Sequence, residues 1–396
     1  MVRLADDGHW GRCPGVGFLD TVVSLSIAPM TALTRLRLTN FRSHAALDLK
    51  LDARPVCLWG ANGAGKTNIL EAISQLGPGR GLRAAGLPDM VRHGSEDGWT
   101  VSATLDDERK IGVGLETGET GNKRTIRLDG APATATDLAD LIRIVWLTPN
   151  MDSVFRGGAS ERRRFFDRQV MAHIPGHGSV SGRYEKAMRE RNALLERGRV
   201  DPAWADAIER RMAEAGAVIA TNRALVLKSL QAAIDARPEG YFPKGDLALD
   251  GEAERAAMDG ASLFDIMDLI AESLAKGRYR DQGAKRTLSG PHRTDLTVIH
   301  RPTNAPAGDA STGQQKALLI GLILASARAL SEDGEGPSPL ILLDEAAAHL
   351  DRDRRAALFD ELIALGGQAW LTGTEAFLFE TFGDRAQLVE VASETD

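Results

Sequence analysis

The chain has 396 residues, of which 43% are hydrophobic and 26% are charged, and this composition is typical of a soluble globular protein with two domains or one large domain carrying an insertion. Its formal net charge of -7 excludes a globally basic surface, so a nucleic-acid partner would require a local cluster of Lys and Arg. The two cysteines, Cys13 and Cys57, lie far apart, which argues against a disulfide framework or a cysteine metal cluster and fits a reducing cytosol, and no stretch approaches the ~18 apolar residues of a membrane span.

The first 29 residues are interpreted as an irregular extension outside the fold, because regular hydrophobic patterning begins only after Met30. Acidic residues and a short apolar run in this extension argue against a secretory signal. Two strands are predicted next, since Leu36 and Leu38 alternate with polar residues and residues 47–51 do the same.

A glycine-rich loop follows the next apolar strand, residues 55–59, and fits the phosphate-loop pattern G-x-x-x-x-G-K-[ST] at every fixed position. Residues 68–76 then carry apolar side chains at helical spacing, so the loop connects a buried strand to a helix. Glycines there let backbone N–H groups surround a phosphate, and the helix N-terminus attracts its charge. Lys66 is predicted to reach the β- and γ-phosphates of ATP and Thr67 to ligate Mg²⁺. The loop comprises Gly60, Ala61, Asn62, Gly63, Ala64, Gly65, Lys66 and Thr67.

Short strands after this helix predict an antiparallel sheet beside the nucleotide site, and its last strand ends in the hairpin signal Asp129-Gly130. The strands span residues 99–105, 110–115 and 123–128, and a further apolar strand spans 143–147. From about residue 160 to 280 the hydrophobic period becomes helical, which predicts an all-α lobe of helical hairpins. Its helices are expected from Ser160 onward and over 183–197, 203–236 and 262–276.

An apolar strand near the C-terminus ends in two acids, Asp344 and Glu345, and a helix over 352–365 and strands over 369–372 and 387–391 complete the sheet. Two acids at a strand end can be solvated side chains without function. A phosphate loop about 280 residues upstream favours instead the second half of a split ATPase site. Asp344 would then hold the Mg²⁺ shell, and Glu345 would act as the general base on the attacking water.

The segment that begins at Ser311 opens a strongly apolar helix and allows two interpretations. Ser311 with Gln314 forms a capping box, S-x-x-Q, which stabilises the helix locally. The same helix N-terminus, with the N–H groups of Gly313 and Gln314, could bind the γ-phosphate of ATP held by a second molecule. Both interpretations can hold.

The chain resembles the RecF family, bacterial recombination-repair ATPases of the ABC superfamily that are close to the SMC type. The resemblance covers about residue 31 to the C-terminus. It implies an α/β fold: an ABC-type, SMC-like P-loop ATPase head formed by residues 30–160 and 288–396, with an antiparallel β subdomain and an inserted all-α lobe over 161–287. The motifs that carry the resemblance are LTNFRSH (38–44), GANGAGKT (60–67), GRGLR (79–83), SGPHRTDL (289–296), STGQQK (311–316) and LLDEAAAHLD (342–351).

The resemblance also implies site residues beyond the phosphate loop. Arg42 and Ser43 are expected near the nucleotide phosphates or adenine, and the loop 349–351, with Asp351 near the nucleotide, is expected to cross a dimer interface. Asn150 stands where related ATPases place a Mg²⁺-ligating glutamine. Thr374 follows Gly373 where transporters place a switch histidine.

The function implied is an ATP-dependent DNA-binding protein of recombinational repair and replication-fork recovery in the cytoplasm. It would bind single- and double-stranded DNA at gaps, dimerise on ATP and hydrolyse ATP slowly, as a weak DNA-dependent ATPase, with RecR and RecO as partners. One alternative is the ATPase subunit of an ABC transporter, against which stand Asn62, the missing histidine and the α lobe. The other is an SMC-like architectural clamp with negligible turnover, against which stands Glu345.

Two groups of basic residues are candidates for DNA contact, although such runs are as often solvated surfaces. No helix carries a recognisable base-reading code, so DNA binding is expected to be independent of sequence and sensitive to salt. The first group is Arg162, Arg163 and Arg164, and the second is Lys276, Arg278, Arg280, Lys285, Arg286 and Arg293.

Overall fold

A five-stranded parallel sheet forms the centre of the part of the chain that the computed structural model describes, residues 31–118, 121–197, 201–334, 336–348 and 350–392. The predicted extension over 1–29, Cys13 and His349 lie outside these described residues. Four of its strands are apolar and largely buried on both faces, as parallel strands covered by helices are, while the edge strand 387–390 is partly exposed. In spatial order they are β14 (Gln387–Glu390), β3 (Val56–Trp59), β13 (Ala369–Gly373), β12 (Leu340–Leu343) and β8 (Ile144–Leu147).

A second, antiparallel sheet lies beside the first and confirms the predicted β subdomain. The alternation of Leu36 and Leu38 with polar residues places both leucines in the core, where Leu36 pairs in register with Leu49 of the neighbouring strand. In spatial order its strands are β2 (His44–Lys50), β1 (Leu33–Phe41), β4 (Thr100–Leu105), β5 (Lys110–Gly118), β6 (Gly121–Leu128) and β7 (Ala131–Pro132).

One buried amide, that of Gln368, joins the two sheets. Its Oε1 accepts from the backbone N–H of Leu33 at 2.9 Å and from the indole N–H of Trp370 at 3.0 Å. Its Nε2 donates to the carbonyls of Asp52 at 2.7 Å and Leu33 at 3.2 Å. Because all four hydrogen-bonding positions of the amide are used, this fully buried side chain fixes β1 against β13.

The helices flank the parallel sheet or build a separate lobe. Helix α8 is almost completely buried, and Leu318, Leu319 and Ile320 have no exposed surface. The helices are α1 (Lys66–Ser74), α2 (Ala135–Ala139), α3 (Ala159–His173), α4 (His177–Glu196), α5 (Pro202–Ala236), α6 (Glu252–Met258), α7 (Leu263–Ala284), α8 (Thr312–Glu332) and α9 (Arg352–Ala364). No helix of the described residues is long and apolar enough to cross a membrane.

The predicted helical lobe has its own hydrophobic core, built by α4, α6, α7 and the first half of α5. The second half of α5, from Val226 to Ile234, packs into the core of the ATPase head instead. A single helix of 35 residues therefore belongs to both cores. The buried Arg223 strengthens this connection, because its guanidinium pairs with Asp167 of α3 at 2.7 Å and with Glu254 of α6 at 2.7 Å.

The prediction that residues 161–287 are wholly helical is wrong at one point, because β9 (Gly245–Asp250) lies within this range. It pairs antiparallel with β10 (Asp295–His300), which in turn pairs with the short strand β11 (Ala305–Pro306). The alternation in β9 is short, and the strand that stabilises it lies 45 residues downstream, outside the range of a local pattern.

Candidate functional site

The phosphate loop connects β3 to α1 at the carboxyl edge of the parallel sheet, and its glycines are required by its geometry. Gly60, Gly63 and Gly65 have φ angles of 150°, 83° and 97°, which side chains disfavour. A Cβ on Gly60 would lie 2.4 Å from the carbonyl oxygen of Val391, and one on Gly65 would lie 2.6 Å from Nε2 of His44. The loop is therefore enclosed by β14 on one side and by the turn before β2 on the other.

Lys66 lies at the first turn of α1 and is folded against the loop. Its Nζ donates to the carbonyl oxygens of Gly60 and Ala61, both at 2.7 Å. Burial lowers the pKa of the ammonium group, and the negative charges of Glu345 and Asp344 oppose that shift. The ammonium group therefore contacts the loop carbonyls and lies within electrostatic range of both acids.

Asp344 follows β12 and meets the phosphate loop across the sheet. The Thr67 hydroxyl lies 3.0 and 3.1 Å from the two carboxylate oxygens of Asp344, although 277 residues separate them in sequence. The backbone N–H of Asp344 donates to the carbonyl of Leu147 on β8 at 2.9 Å. Burial raises the pKa of the carboxyl group, and the hydroxyl donors Thr372 and Thr67 oppose the shift. A hydroxyl and a carboxylate so placed are a donor set that fits Mg²⁺.

Thr372, which the sequence analysis missed, connects the two acids. The Thr372 hydroxyl on β13 donates to Oδ1 of Asp344 at 2.8 Å and accepts from the backbone N–H of Glu345 at 2.8 Å. Glu345 has a φ of 53°, a left-handed conformation that is unfavourable for a residue with a side chain. The side chain of Thr372 is buried, so this hydroxyl holds the strained backbone of Glu345 in place. A polar residue in an otherwise apolar strand was the signal in the sequence.

The expected nucleotide contacts Arg42 and Ser43 are held by α1. Arg42 forms a bidentate ion pair with the fully buried Glu71, with Nε and Nη2 at 2.9 and 2.7 Å from its two oxygens. Arg83 of the GRGLR motif donates to the same carboxylate at 2.8 Å. Ser43 Oγ accepts from the Asn68 amide at 2.8 Å. Glu71 is a second residue that the sequence analysis missed, because a single acid on an amphipathic helix gives no local signal.

The exposed start of α8 carries Ser311, Gly313 and Gln314. Among the described residues, no hydrogen bond joins these three to the phosphate loop of the same chain. The capping box is present: Gln314 N donates to Ser311 Oγ at 3.3 Å, and Ser311 N donates to Gln314 Oε1 at 2.9 Å. Gly313 is open, with space for an added Cβ. Asp351 caps α9 in the same manner, because its carboxylate accepts from the Arg354 N–H at 2.8 Å.

The first basic group is not a free cationic surface. Arg162 pairs with Asp295 through contacts of 2.8 and 2.6 Å, and Arg163 donates to the carbonyl of Thr294 at 2.8 Å. Only Arg164 of this group is exposed. Of residues 162–164, only Arg164 therefore remains a candidate for DNA contact. Arg162 and Arg163 instead attach α3 to residues 294 and 295 at the start of β10.

The arrangement defines a class of protein. β13 separates the phosphate-loop strand from the strand that ends in Asp344-Glu345, and an antiparallel sheet and a helical lobe are added to this core. The fold and the site are those of an ABC-type, SMC-like ATPase head.

Comparison with known proteins identifies the family. The model of the RecF/RecN/SMC N-terminal domain matches residues 32–385. The chain is 49% identical over 370 residues to the DNA replication and repair protein RecF of Rhizobium etli, covering 91% of this chain and 97% of the relative. It is 49% identical over 368 residues to the protein of the same name from Brucella suis, covering 91% and 95%. The chain belongs to the RecF family.

Solved structures show the same fold. The structure of the recombination mediator protein RecF-ATPrS in the RecFOR pathway has a TM-score of 0.79 at 21% identity, covering 92% of this chain and 97% of that chain. The corresponding RecF-ATP structure has a TM-score of 0.76 at 23% identity, covering 88% and 93%. The predicted head, antiparallel subdomain and lobe are thereby confirmed.

Proposed function

We propose that this chain is an ATP-dependent DNA-binding protein of recombinational repair and replication-fork recovery. The observation that carries the proposal is the convergence of Lys66, Thr67, Asp344 and Glu345 at one edge of the parallel sheet. The names of the relatives, DNA replication and repair protein RecF, support the DNA-repair role. Family membership also disfavours the alternative of a transporter subunit.

The nucleotide site fits ATP with Mg²⁺. The N–H groups of the glycine loop and the start of α1 would surround the β- and γ-phosphates, and Lys66 would neutralise their charge. Thr67 and Asp344 would hold Mg²⁺, which supplies further neutralisation of phosphate charge when bound. Glu345 would accept the proton of the attacking water as general base. The pair Thr67–Asp344 is already in contact, so these ligands require little rearrangement.

The start of α8 would complete the site of a second copy of the chain. One phosphate loop covers one side of a triphosphate and leaves the other side without donors. Ser311 with the N–H groups of Gly313 and Gln314 is exposed, and a helix N-terminus attracts anions. A two-fold pair would make two such composite sites, with Asp351 near the same interface. Loss of the γ-phosphate on hydrolysis would then release the pair.

The chain would bind DNA without sequence preference. It would bind both single- and double-stranded DNA at gaps, and it would act in the cytoplasm. The chain is acidic overall, so binding would depend on local groups of Arg and Lys and weaken steeply with salt. RecR and RecO are proposed as partners, in line with the RecFOR pathway of the similar structures.

Two variants of the site test the proposal. Lys66→Ala should abolish ATP binding, because it removes the cation that neutralises the phosphates. Glu345→Gln should bind ATP normally but lose hydrolysis, since the amide cannot accept a proton. Binding is measured by equilibrium dialysis and turnover by phosphate release, with gapped DNA present and absent. Equal hydrolysis by Glu345→Gln and the unmodified chain would remove Glu345 as the base, and failure of the unmodified chain to bind gapped DNA would refute the repair role.

A further inference from the structure

The C-terminal part of α7 exposes a tyrosine to solvent. The side chain of Tyr279 is 90% exposed, more than any other large hydrophobic residue among those the structure describes. A ring that contacts so little of its own chain does not stabilise the lobe. Both faces of such a ring are available to contact a ligand.

Exposed basic residues precede and follow Tyr279 in the chain. The side chains of Lys276 and Arg280 are 73% and 61% exposed. Helical spacing places Lys276 on the face that carries Tyr279, and Arg280, the next residue along the helix, borders that face. Lys285 caps α7 in a left-handed conformation, and Arg286 follows it, both exposed. Gly283 has open space where a side chain would be, so nothing on this face shields the ring.

Two of the acids near this surface are paired, and a third, the exposed Glu252 of α6, lines a groove with Lys276 and Arg280. Asp281 is fully buried and pairs with Arg191 at 2.7 Å, and Glu272 pairs with Lys276 at 2.5 Å. Arg280 lies 3.7 Å from the buried Asp281 with its guanidinium mostly in solvent. Lys285 makes no salt bridge within the described part of the chain, nor does Arg286. An excess of exposed positive charge therefore remains on a chain whose net charge is -7.

Arg278 does not belong to this surface, although it lies in the same sequence run. Its guanidinium is held by Glu209 and Asp206 of α5, which raises its pKa mainly through the hydrogen bonds to Glu209. Arg278 thus anchors α7 to α5, whereas the neighbouring residues Tyr279, Arg280, Lys285 and Arg286 are exposed to solvent. We call these exposed residues the α7 patch.

We propose that the α7 patch binds single-stranded DNA, with an unpaired base stacked on Tyr279 and the cations on neighbouring phosphates. Every base offers a π-face, so such stacking tolerates any sequence, and cations follow the backbone. In a duplex the base faces are covered, so the ring selects unpaired strands. A protein partner is less suited, because interface aromatics occupy desolvated apolar surroundings, whereas Tyr279 is 90% exposed and its nearest exposed neighbours in the chain are basic residues and Gly283. The proposal rests on the DNA-binding role above and assigns its surface.

Substitutions of Tyr279 test the stacking. Fluorescence anisotropy with a labelled oligo-dT strand and with a duplex of equal length measures both affinities. Tyr279→Ala should weaken oligo-dT binding at least about fivefold, the lower end of what loss of one stacked base produces, and change duplex binding less than twofold. Tyr279→Phe should retain affinity because the ring remains. Phe264→Ala is the matched control, since Phe264 is 73% exposed at the other end of α7.

Substitutions of the cations test the phosphate contacts. The triple variant Arg280→Gln, Lys285→Gln, Arg286→Gln should reduce the slope of log affinity against log salt by about 2, because each single-strand phosphate contact contributes about 0.7. The control variant Lys50→Gln, Lys110→Gln, Lys123→Gln removes three exposed charges from the antiparallel sheet and should leave the slope nearly unchanged.

Three results would overturn the α7 patch: oligo-dT binding by Tyr279→Ala equal to that of the unmodified chain, equal weakening on oligo-dT and duplex, or loss of a protein partner with DNA binding intact. Melting temperature and DNA-free ATP binding of each variant should match the unmodified chain, since Tyr279 makes few contacts. If the unmodified chain bound neither oligo-dT nor duplex, the proposed DNA-binding function itself would be refuted. The measurement on the unmodified chain therefore separates failure of the proposed function from failure of the α7 patch, which the variants test.

Discussion

Thr372→Val removes one hydroxyl from the nucleotide site with almost no change in shape. The valine leaves the backbone N–H of Glu345 without its acceptor at 2.8 Å and deprives Asp344 of one donor at 2.8 Å. A buried N–H without a partner costs about 1–3 kcal/mol, so the free energy of unfolding should fall by that amount. The backbone of Glu345 should also relax out of its left-handed conformation, because that conformation costs a residue with a side chain about 1–2 kcal/mol.

The relaxation should move Glu345, the proposed general base, and leave the phosphate loop intact. Since a displacement of about 1 Å can reduce turnover on the order of 100-fold, kcat for ATP hydrolysis should fall by about 10- to 100-fold. The affinity for ATP should change less than about threefold, because Lys66 is held by the carbonyls of Gly60 and Ala61, while the Thr372 hydroxyl bonds to Asp344 and Glu345. A loss in kcat without a loss in binding would separate positioning of Glu345 from general damage to the site.

The assay is steady-state phosphate release together with equilibrium ATP binding, at a temperature below the melting transition of every variant. Thr372→Ser retains the hydroxyl and should restore most of the turnover. Thr297→Val is a matched control, because Thr297 is exposed on β10 and its hydroxyl contacts only the carbonyl of Ala248 at 3.3 Å. Turnover of Thr372→Val equal to that of the unmodified chain, or no recovery in Thr372→Ser, would refute the assigned role.

The remaining predictions concern other parts of the chain. Gln368→Leu should lower the free energy of unfolding by several kcal/mol, because it leaves buried partners in both sheets unpaired; a chemical-denaturation midpoint equal to that of the unmodified chain would contradict this. Ser311→Arg should keep monomer ATP binding and lose the ATP-dependent dimer in light scattering, and dimerisation like the unmodified chain would leave Ser311 as a helix cap only. Mixing Ser311→Arg with Lys66→Ala should restore some pairing, since one complete composite site re-forms. Removal of residues 1–29 should leave melting temperature and ATP binding unchanged, and a large loss of either would contradict the interpretation of an extension.

The sequence predicted the halves of the nucleotide site because each half is a local pattern. The glycine spacing before Lys66 and the apolar strand before Asp344 are visible in windows of about ten residues. That the two motifs meet at one edge of the sheet was expected because both are typical of the same class of fold. The structure places the Thr67 hydroxyl against Asp344, as that class requires.

Residues that act through distant partners could not be predicted in this way. Thr372 is one polar residue in an apolar strand, and Gln368 contacts Leu33 across 335 positions. The same limit explains the first basic group, since Arg162 is neutralised by Asp295, which lies 133 residues away. A run of charged residues in the sequence does not show whether each side chain faces solvent or an ion-pair partner, because tertiary packing decides this.

The order of strands in the parallel sheet has a consequence for biosynthesis. β3, which leads into the phosphate loop, pairs on one side with β13 and on the other with β14, the last two strands along the described residues. At a synthesis rate of about 5–20 residues per second, β3 exists without a partner on either side for roughly 15–60 seconds. During that interval an apolar strand with both edges open invites wrong pairing. The strand that leads into the phosphate loop therefore gains its sheet partners only after β13 and β14 have been synthesised.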